Sequence, residues 1–308
     1  MRSARRAAWY LWWPFALLCL LRGSRWIFSG SLPGSATTLA SASLGCGSAA
    51  ALYLLIVRPS APHNQSGQLF RSALGGALLI TGPFLGLLYP HALPAASLTM
   101  ALALTPVVIA VCEAATRHTG ETLAGRLWPG LATIAGLLLL LTQPSLSNLG
   151  EDAILVLAPL LTGCGAVLFC SSHNSVWRLP AALLGACTVL GLGAAINLAT
   201  HVGGWPGMAG LAAGFDALEA LLALVALGRL SATRWSAQFA IVPLLVLLEG
   251  VVFLPASLPA RMIVGLLLLA VAAVALLVPP SEESRFDLRA SPADPPLRIK
   301  ADIHSSGR

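Results

Sequence analysis

Residues 72–112 read SALGGALLITGPFLGLLYPHALPAASLTMALALTPVVIAVC, without one Asp, Glu, Lys or Arg. A membrane-crossing helix takes about 20 apolar residues. The stretch is too long for one such span, so it holds two. Pro90 and Pro94 stand where the chain must turn. Residues 179–215 pose the same problem, and Gly203-Gly204-Trp205-Pro206-Gly207 supplies the break. Carried along the chain, this reading predicts ten spans: 8–30, 35–57, 71–89, 94–115, 126–143, 153–176, 180–201, 207–228, 234–254 and 261–279. The predicted fold class is an all-α polytopic membrane protein with ten transmembrane helices.

Composition points the same way. Of 308 residues, 57% are apolar and 10% charged, and the mean hydropathy is +0.82. An ordinary soluble domain carries about 25% charged residues, so a soluble globular enzyme is excluded. The apolar content excludes a disordered chain. The long unbroken apolar runs exclude a membrane β-barrel, whose strands alternate. The lipid bilayer is therefore the expected partner. The net charge of +6 does not point to nucleic acid, because the basic residues come one or two at a time between apolar runs. The six cysteines (Cys19, Cys46, Cys112, Cys164, Cys170, Cys187) lie within those runs and read as small buried hydrophobes. No Cys/His cluster has metal-ligand spacing, and no metal or other cofactor is expected.

Arginine placement sets the orientation. With the N-terminus inside, cytoplasmic segments hold Arg2, Arg5, Arg6, Arg58, Arg71, Arg117, Arg126, Arg178, Arg229, Arg234, Arg285, Arg289, Arg298, Lys300 and Arg308. The outer loops hold Arg261 alone, and Arg22 and Arg25 fall within the first span. This is the positive-inside pattern. It predicts a multi-pass cell-membrane protein (an inner membrane, in a bacterium) with both termini cytoplasmic. Residues 7–21 follow three arginines but lead to no A-x-A site, so the first span is read as retained rather than as a signal peptide. Trp9, Trp12, Trp13, Trp128, Trp177, Trp205 and Trp235 fall near predicted helix ends, as interfacial tryptophans do. Residues 281–308, with Pro292, Pro295, Pro296 and mixed charge, read as a disordered cytoplasmic tail.

The two halves resemble each other. Residues 105–113 (TPVVIAVCE) and 242–249 (VPLLVLLE) each place a proline in mid-helix, then an apolar run, then a glutamate. Pro106 and Pro243 are read as structural helix prolines. Arg126 and Gly130 open the fifth span as Arg261 and Gly265 open the tenth. Gly82 and Gly86, like Gly210 and Gly214, have the spacing that allows close helix approach. Five spans per half is an odd number, so the second copy enters the membrane from the opposite side. That inversion places Arg261 outside, at the repeat position of Arg126. The expected organisation is a 5+5 inverted-topology repeat, 1–145 and 152–280, followed by the tail 281–308. Inverted repeats are typical of secondary transporters, with the substrate near the midplane.

With Pro106, the Gly120-Glu121 loop, Gly130 and Gly136, the chain resembles the EamA family of the drug/metabolite transporter superfamily. The likeness runs over about residues 8–280 and is clearest at 95–143 and 234–279. The second copy departs from the pattern, with Leu254-Pro255-Ala256 in place of the Gly-Glu loop. Arg22-Gly23-Ser24-Arg25 is a further departure, in the first span. The resemblance implies secondary transport, often export, of small organic metabolites or drugs.

No GxSxG, HExxH, Walker A or strand-borne GxGxxG occurs, so no catalytic residues are expected and the chain does not read as an enzyme. The informative residues are charges inside spans, each costing about 2.5–3.5 kcal/mol on insertion scales. Arg22 and Arg25 in the first span, and Asp216 and Glu219 in the eighth, are each spaced i,i+3 and share a helical face. Asp216 lies about 14 Å into its span. These four are the candidate substrate-binding or coupling residues, with a proton on Asp216 or Glu219 as the candidate coupling ion. Glu113, four residues before Arg117, and Glu249, near an outer helix end, are secondary candidates that also suit an interfacial role. A small-molecule substrate is the expected partner, and a homodimer is compatible with the sequence. The competing readings are a non-transporting membrane scaffold or sensor on the same fold, and a membrane-embedded enzyme.

Overall fold

The computed structural model describes residues 2–28, 35–59, 66–87, 95–116, 123–140, 149–172, 175–200, 210–253 and 259–278. Every regular element among them is helical. In chain order these are α1 (Arg2–Phe28), α2 (Ser35–Val57), α3 (Ser66–Thr81), a 3-10 turn (Gly82–Leu87), α4 (Ala95–Leu102), α5 (Thr105–Thr116) and α6 (Leu123–Leu140). There follow α7 (Leu149–Ser171), α8 (Arg178–Thr200), α9 (Gly210–Arg229), α10 (Ala232–Ser236), α11 (Gln238–Phe253) and α12 (Ala260–Leu277). These helices form one unit, Met1–Leu277. The tail 281–308 lies outside the described residues.

Five helical stretches are long and apolar enough to cross a membrane: Thr37–Val57, Ser97–Thr116, Ala153–Ser171, Arg178–Ala199 and Ala260–Leu277. The distribution of side chains is inside-out relative to a water-soluble protein. Leu44, Leu55 and Phe70 are 68% exposed and Ile56 72%, whereas Ser41, Thr105, Asp216 and Gln238 are buried. Water would penalise that outer surface, but hydrocarbon does not. Within lipid each backbone polar group must be satisfied inside its own segment, which is why the apolar runs are helices.

Three expected spans are broken rather than continuous. The third passes from α3 into a 3-10 turn at Gly82-Pro83. The fourth is interrupted at Ala103-Leu104 between α4 and α5, and Pro106 is the second residue of α5. Its missing N–H falls in a first turn, where helical N–H groups have no intrahelical partner anyway. The ninth breaks at Ala237, between α10 and α11, while Pro243 stays inside α11. Ser231 caps α10 by accepting a hydrogen bond from the Arg234 N–H.

Helix crossings are set by small residues. A methyl added at Gly45 on α2 would lie 2.6 Å from the Ala213 carbonyl oxygen of α9, and one added at Gly185 on α8 would collide with the Ala73 carbonyl of α3. Of the glycines expected to allow close approach, Gly82 meets the Ala158 carbonyl at 2.8 Å, but Gly214 faces open space. Gly86 and Gly210 lie where side-chain surroundings are not described. Helices from both ends of the chain interleave: α2 packs on α8 and α9, α3 on α7 and α8, and α6 on α12.

One more expectation changes. Trp235 is 1% exposed, a core residue packed edge-to-face on Phe239 at 5.7 Å, not an interfacial anchor. Arg178, one of the arginines expected in cytoplasmic segments, is buried with its guanidinium 4.0 Å above the Phe169 ring.

Candidate functional site

The first polar seam starts on α1. Its residues Arg22, Gly23 and Ser24 make three successive contacts with the second half of the chain. Arg22 Nε donates to Glu219 Oε1 of α9 at 2.8 Å, and Arg22 Nη1 donates to Gln238 Oε1 of α11 at 2.6 Å. Gly23 allows α1 to approach α11, since a methyl there would stand 3.1 Å from Leu245 Cβ. Ser24 Oγ donates to Glu249 Oε1 at 3.1 Å. Glu249 therefore faces α1 within the bundle.

Asp216, one turn before Glu219 on α9, is 5% exposed. Ser41 Oγ of α2 lies 2.9 Å from Asp216 Oδ2 and 2.9 Å from the Thr38 carbonyl oxygen. One hydroxyl hydrogen thus serves two acceptors while Asp216 is ionised. A protonated Asp216 would donate to Ser41 Oγ, releasing the hydroxyl hydrogen to Thr38. Both protonation states leave this hydroxyl–carboxyl contact satisfied.

Arg22, Asp216 and Glu219 line one cavity of about 260 Å³. Thr38, Cys46 and Thr162 add polar atoms. Leu79, Ile80, Phe84, Trp235 and Phe239 contribute apolar and aromatic lining. The i,i+3 spacing of Asp216 and Glu219 is what turns both carboxyls to this space. Arg25 lies on α1, but its side chain falls outside the described residues. Arg22 thus pairs with Glu219, while Ser41 contacts Asp216.

Glu113 lies elsewhere. It is 8% exposed and accepts a hydrogen bond from Thr233 Oγ1 of α10 at 2.7 Å. It is held inside the bundle rather than extended along its surface, and Arg117 lies outside the described residues. Pro106 and Pro243 are not among the residues that line the cavity. Among the described residues, no group of three His, Cys, Asp or Glu is placed to hold a metal ion.

Sequence reading missed Ser41, Thr38, Gln238 and Trp235 as parts of this site. Gln238 carried a signal, being a lone amide before a long apolar run. Ser41 and Thr38 carried none, because residues 35–50 are rich in small residues that all suit helix crossings.

No family model matches the chain, and no curated protein matches it. A crystal structure in the same overall arrangement aligns with a TM-score of 0.63 at 16% identity, covering 86% of this chain and 96% of that one. At that identity the likeness is one of fold alone.

Proposed function

We propose that this protein is a secondary transporter of small organic molecules, an exporter of the EamA type, working by alternating access between two inverted five-helix halves. The observation that carries the proposal is the cavity: one arginine and two carboxylates facing a common space inside an apolar helical body. Charges at such positions are costly and mark substrate or ion pathways. Among the described residues, the charged lining is Arg22, Asp216 and Glu219. Two carboxylates, with Trp235, Phe239 and Phe84 lining the same cavity, favour a substrate with an ammonium group, alone or as part of a zwitterion. Asp216 is the proposed proton carrier, because its contact with Ser41 is satisfied in either protonation state.

Paired packing supports the inverted repeat. If α1 corresponds to α7, α2 to α8, α3 to α9, α4 and α5 to α10 and α11, and α6 to α12, contacts exchange in pairs. The α3·α8 contact becomes α2·α9, α3·α7 becomes α1·α9, and α5·α7 becomes α1·α11, while α2·α8 and α6·α12 map onto themselves. Single residues follow the same rule. Gly45 approaches the Ala213 carbonyl and Gly185 the Ala73 carbonyl; a shift of 140 positions carries Gly45 to Gly185 and Ala73 to Ala213. Two such halves sharing a cavity that holds charged residues of both suit alternating access.

Flux is the test. In vesicles reconstituted with the purified protein, a panel of labelled small amines and amino acids should show saturable transport driven by a pH gradient. The Asp216→Asn variant should insert normally, lose most of that flux and lose its dependence on the gradient. Normal flux at every pH would make the cluster structural, and no flux with any compound would favour the scaffold reading. Orientation has its own test. Reporter fusions at Ser284 should read cytoplasmic and fusions at Ser147 external; a cytoplasmic Ser147 reverses the topology.

A further inference from the structure

We propose that Cys112 and Cys164 form a redox-active dithiol that hydroperoxides close to a disulfide between α5 and α7. The two Sγ atoms lie 3.8 Å apart, on helices separated by 52 positions in sequence. Both side chains are half-buried, so a small oxidant reaches them. Packing explains the juxtaposition. A methyl added at Gly163 of α7 would lie 2.6 Å from Val108 Cγ1 of α5, so the two helices come together there. Cys164 follows Gly163 directly, and Cys112 follows Val108 by one helical turn on the same face. The close crossing therefore brings the thiols together one turn along. Modest side-chain rotation must then close the gap to a bond of about 2.05 Å.

The other cysteines have different surroundings. Cys19 and Cys46 are buried, and Cys170 Sγ points at the Leu227 carbonyl at 3.7 Å. Cys187 Sγ is 3.6 Å from Ser43 Oγ. Cys46 and Cys187 are neighbours on α2 and α8 and form the internal competitor, handicapped by the burial of Cys46.

The chemistry balances. One thiol, as thiolate, attacks the terminal oxygen of a hydroperoxide R–O–O–H, giving a sulfenic acid and releasing the alcohol R–OH. The second sulfur attacks the sulfenic sulfur, the S–S bond forms, and the hydroxide leaves with the second thiol's proton as water. The two sulfurs lose two electrons and the peroxide gains them. A small dithiol reverses the step by exchange. The bridge would fix α5 to α7 beside the cavity, since Thr162, two residues before Cys164, lines it.

The test uses the full chain in detergent micelles and does not depend on transport. The protein is titrated with cumene hydroperoxide, denatured, alkylated with a maleimide and mapped without reduction. The expected result is loss of two of the six thiols, one linked peptide joining Cys112 to Cys164, and full return of both thiols with dithiothreitol. Phenylarsine oxide, which bridges paired thiols, should protect both from the maleimide. Cys112→Ser and Cys164→Ser should each abolish the linked peptide. Six free thiols after oxidant, a Cys46–Cys187 link formed first, or sulfinic acid on either residue without a link would overturn the proposal. The wild-type map decides the question even if a serine variant misfolds.

Discussion

A Gly185→Leu variant is expected to yield no monodisperse protein in detergent. A side chain at this position would enter the backbone of Ala73, with its Cα already only 3.0 Å from the new methyl. Backbone cannot rotate aside as a side chain can, so α8 must move off α3. Ordinary overpacking costs about 1–3 kcal/mol, and a collision with backbone at a helix crossing exceeds that. Gly214→Leu is the matched control, because Gly214 on α9 has nothing within 4 Å. Size-exclusion profiles and thermal melts of the two variants measure the difference. The control should run like the parent, and the Gly185 variant should aggregate. Parent-like behaviour from Gly185→Leu would refute the α3·α8 crossing.

Breaking the Arg22–Glu219 pair is expected to cost more than removing it. Arg22→Leu leaves Glu219 inside the bundle without this guanidinium, and it removes the donor from Gln238 Oε1. Breaking a fully buried pair costs about 3–5 kcal/mol. These side chains are 20% and 18% exposed, so partial solvation brings the expected loss to the lower end, about 3 kcal/mol. The double change with Glu219→Leu should recover more than half of it, because the carboxylate that lost this guanidinium is gone as well. Melting temperatures of the parent, both single variants and the double variant form a mutant cycle. Additive losses would mean that the pair contributes nothing as a pair.

Fold class was legible because it depends on composition over long windows. A run such as 72–112 has few ways to satisfy its backbone in lipid, and helices are the general one. Some boundaries were closely legible, since 35–57 matches α2 (Ser35–Val57) and 180–201 matches α8 (Arg178–Thr200), whereas α1 begins at Arg2 and not at 8. The breaks at Ala103-Leu104 and Ala237 were not legible. No glycine stands at either, and the prolines of the same spans read as lying in mid-helix.

The candidate site divides in the same way. Asp216 and Glu219 were readable as a pair because i,i+3 spacing alone puts them on one face, and their charge made them conspicuous among apolar neighbours. Their partners were not readable. Arg22 reaches Glu219 across 197 positions and Gln238 across 216, and Ser41 reaches Asp216 across 175. Nothing local in the sequence encodes those distances. Trp235 shows the limit most plainly: near a predicted helix end it reads as an interfacial residue, yet it is buried against Phe239. The sequence by itself determined that the chain is helical, apolar on its outside and charged at a few interior positions, because those properties follow from hydropathy and period. Tertiary structure alone decided which charges meet, which hydroxyls hold them and where the cavity lies. Those depend on helix crossings fixed by backbone contact at single glycines, and a crossing is a property of two distant segments at once.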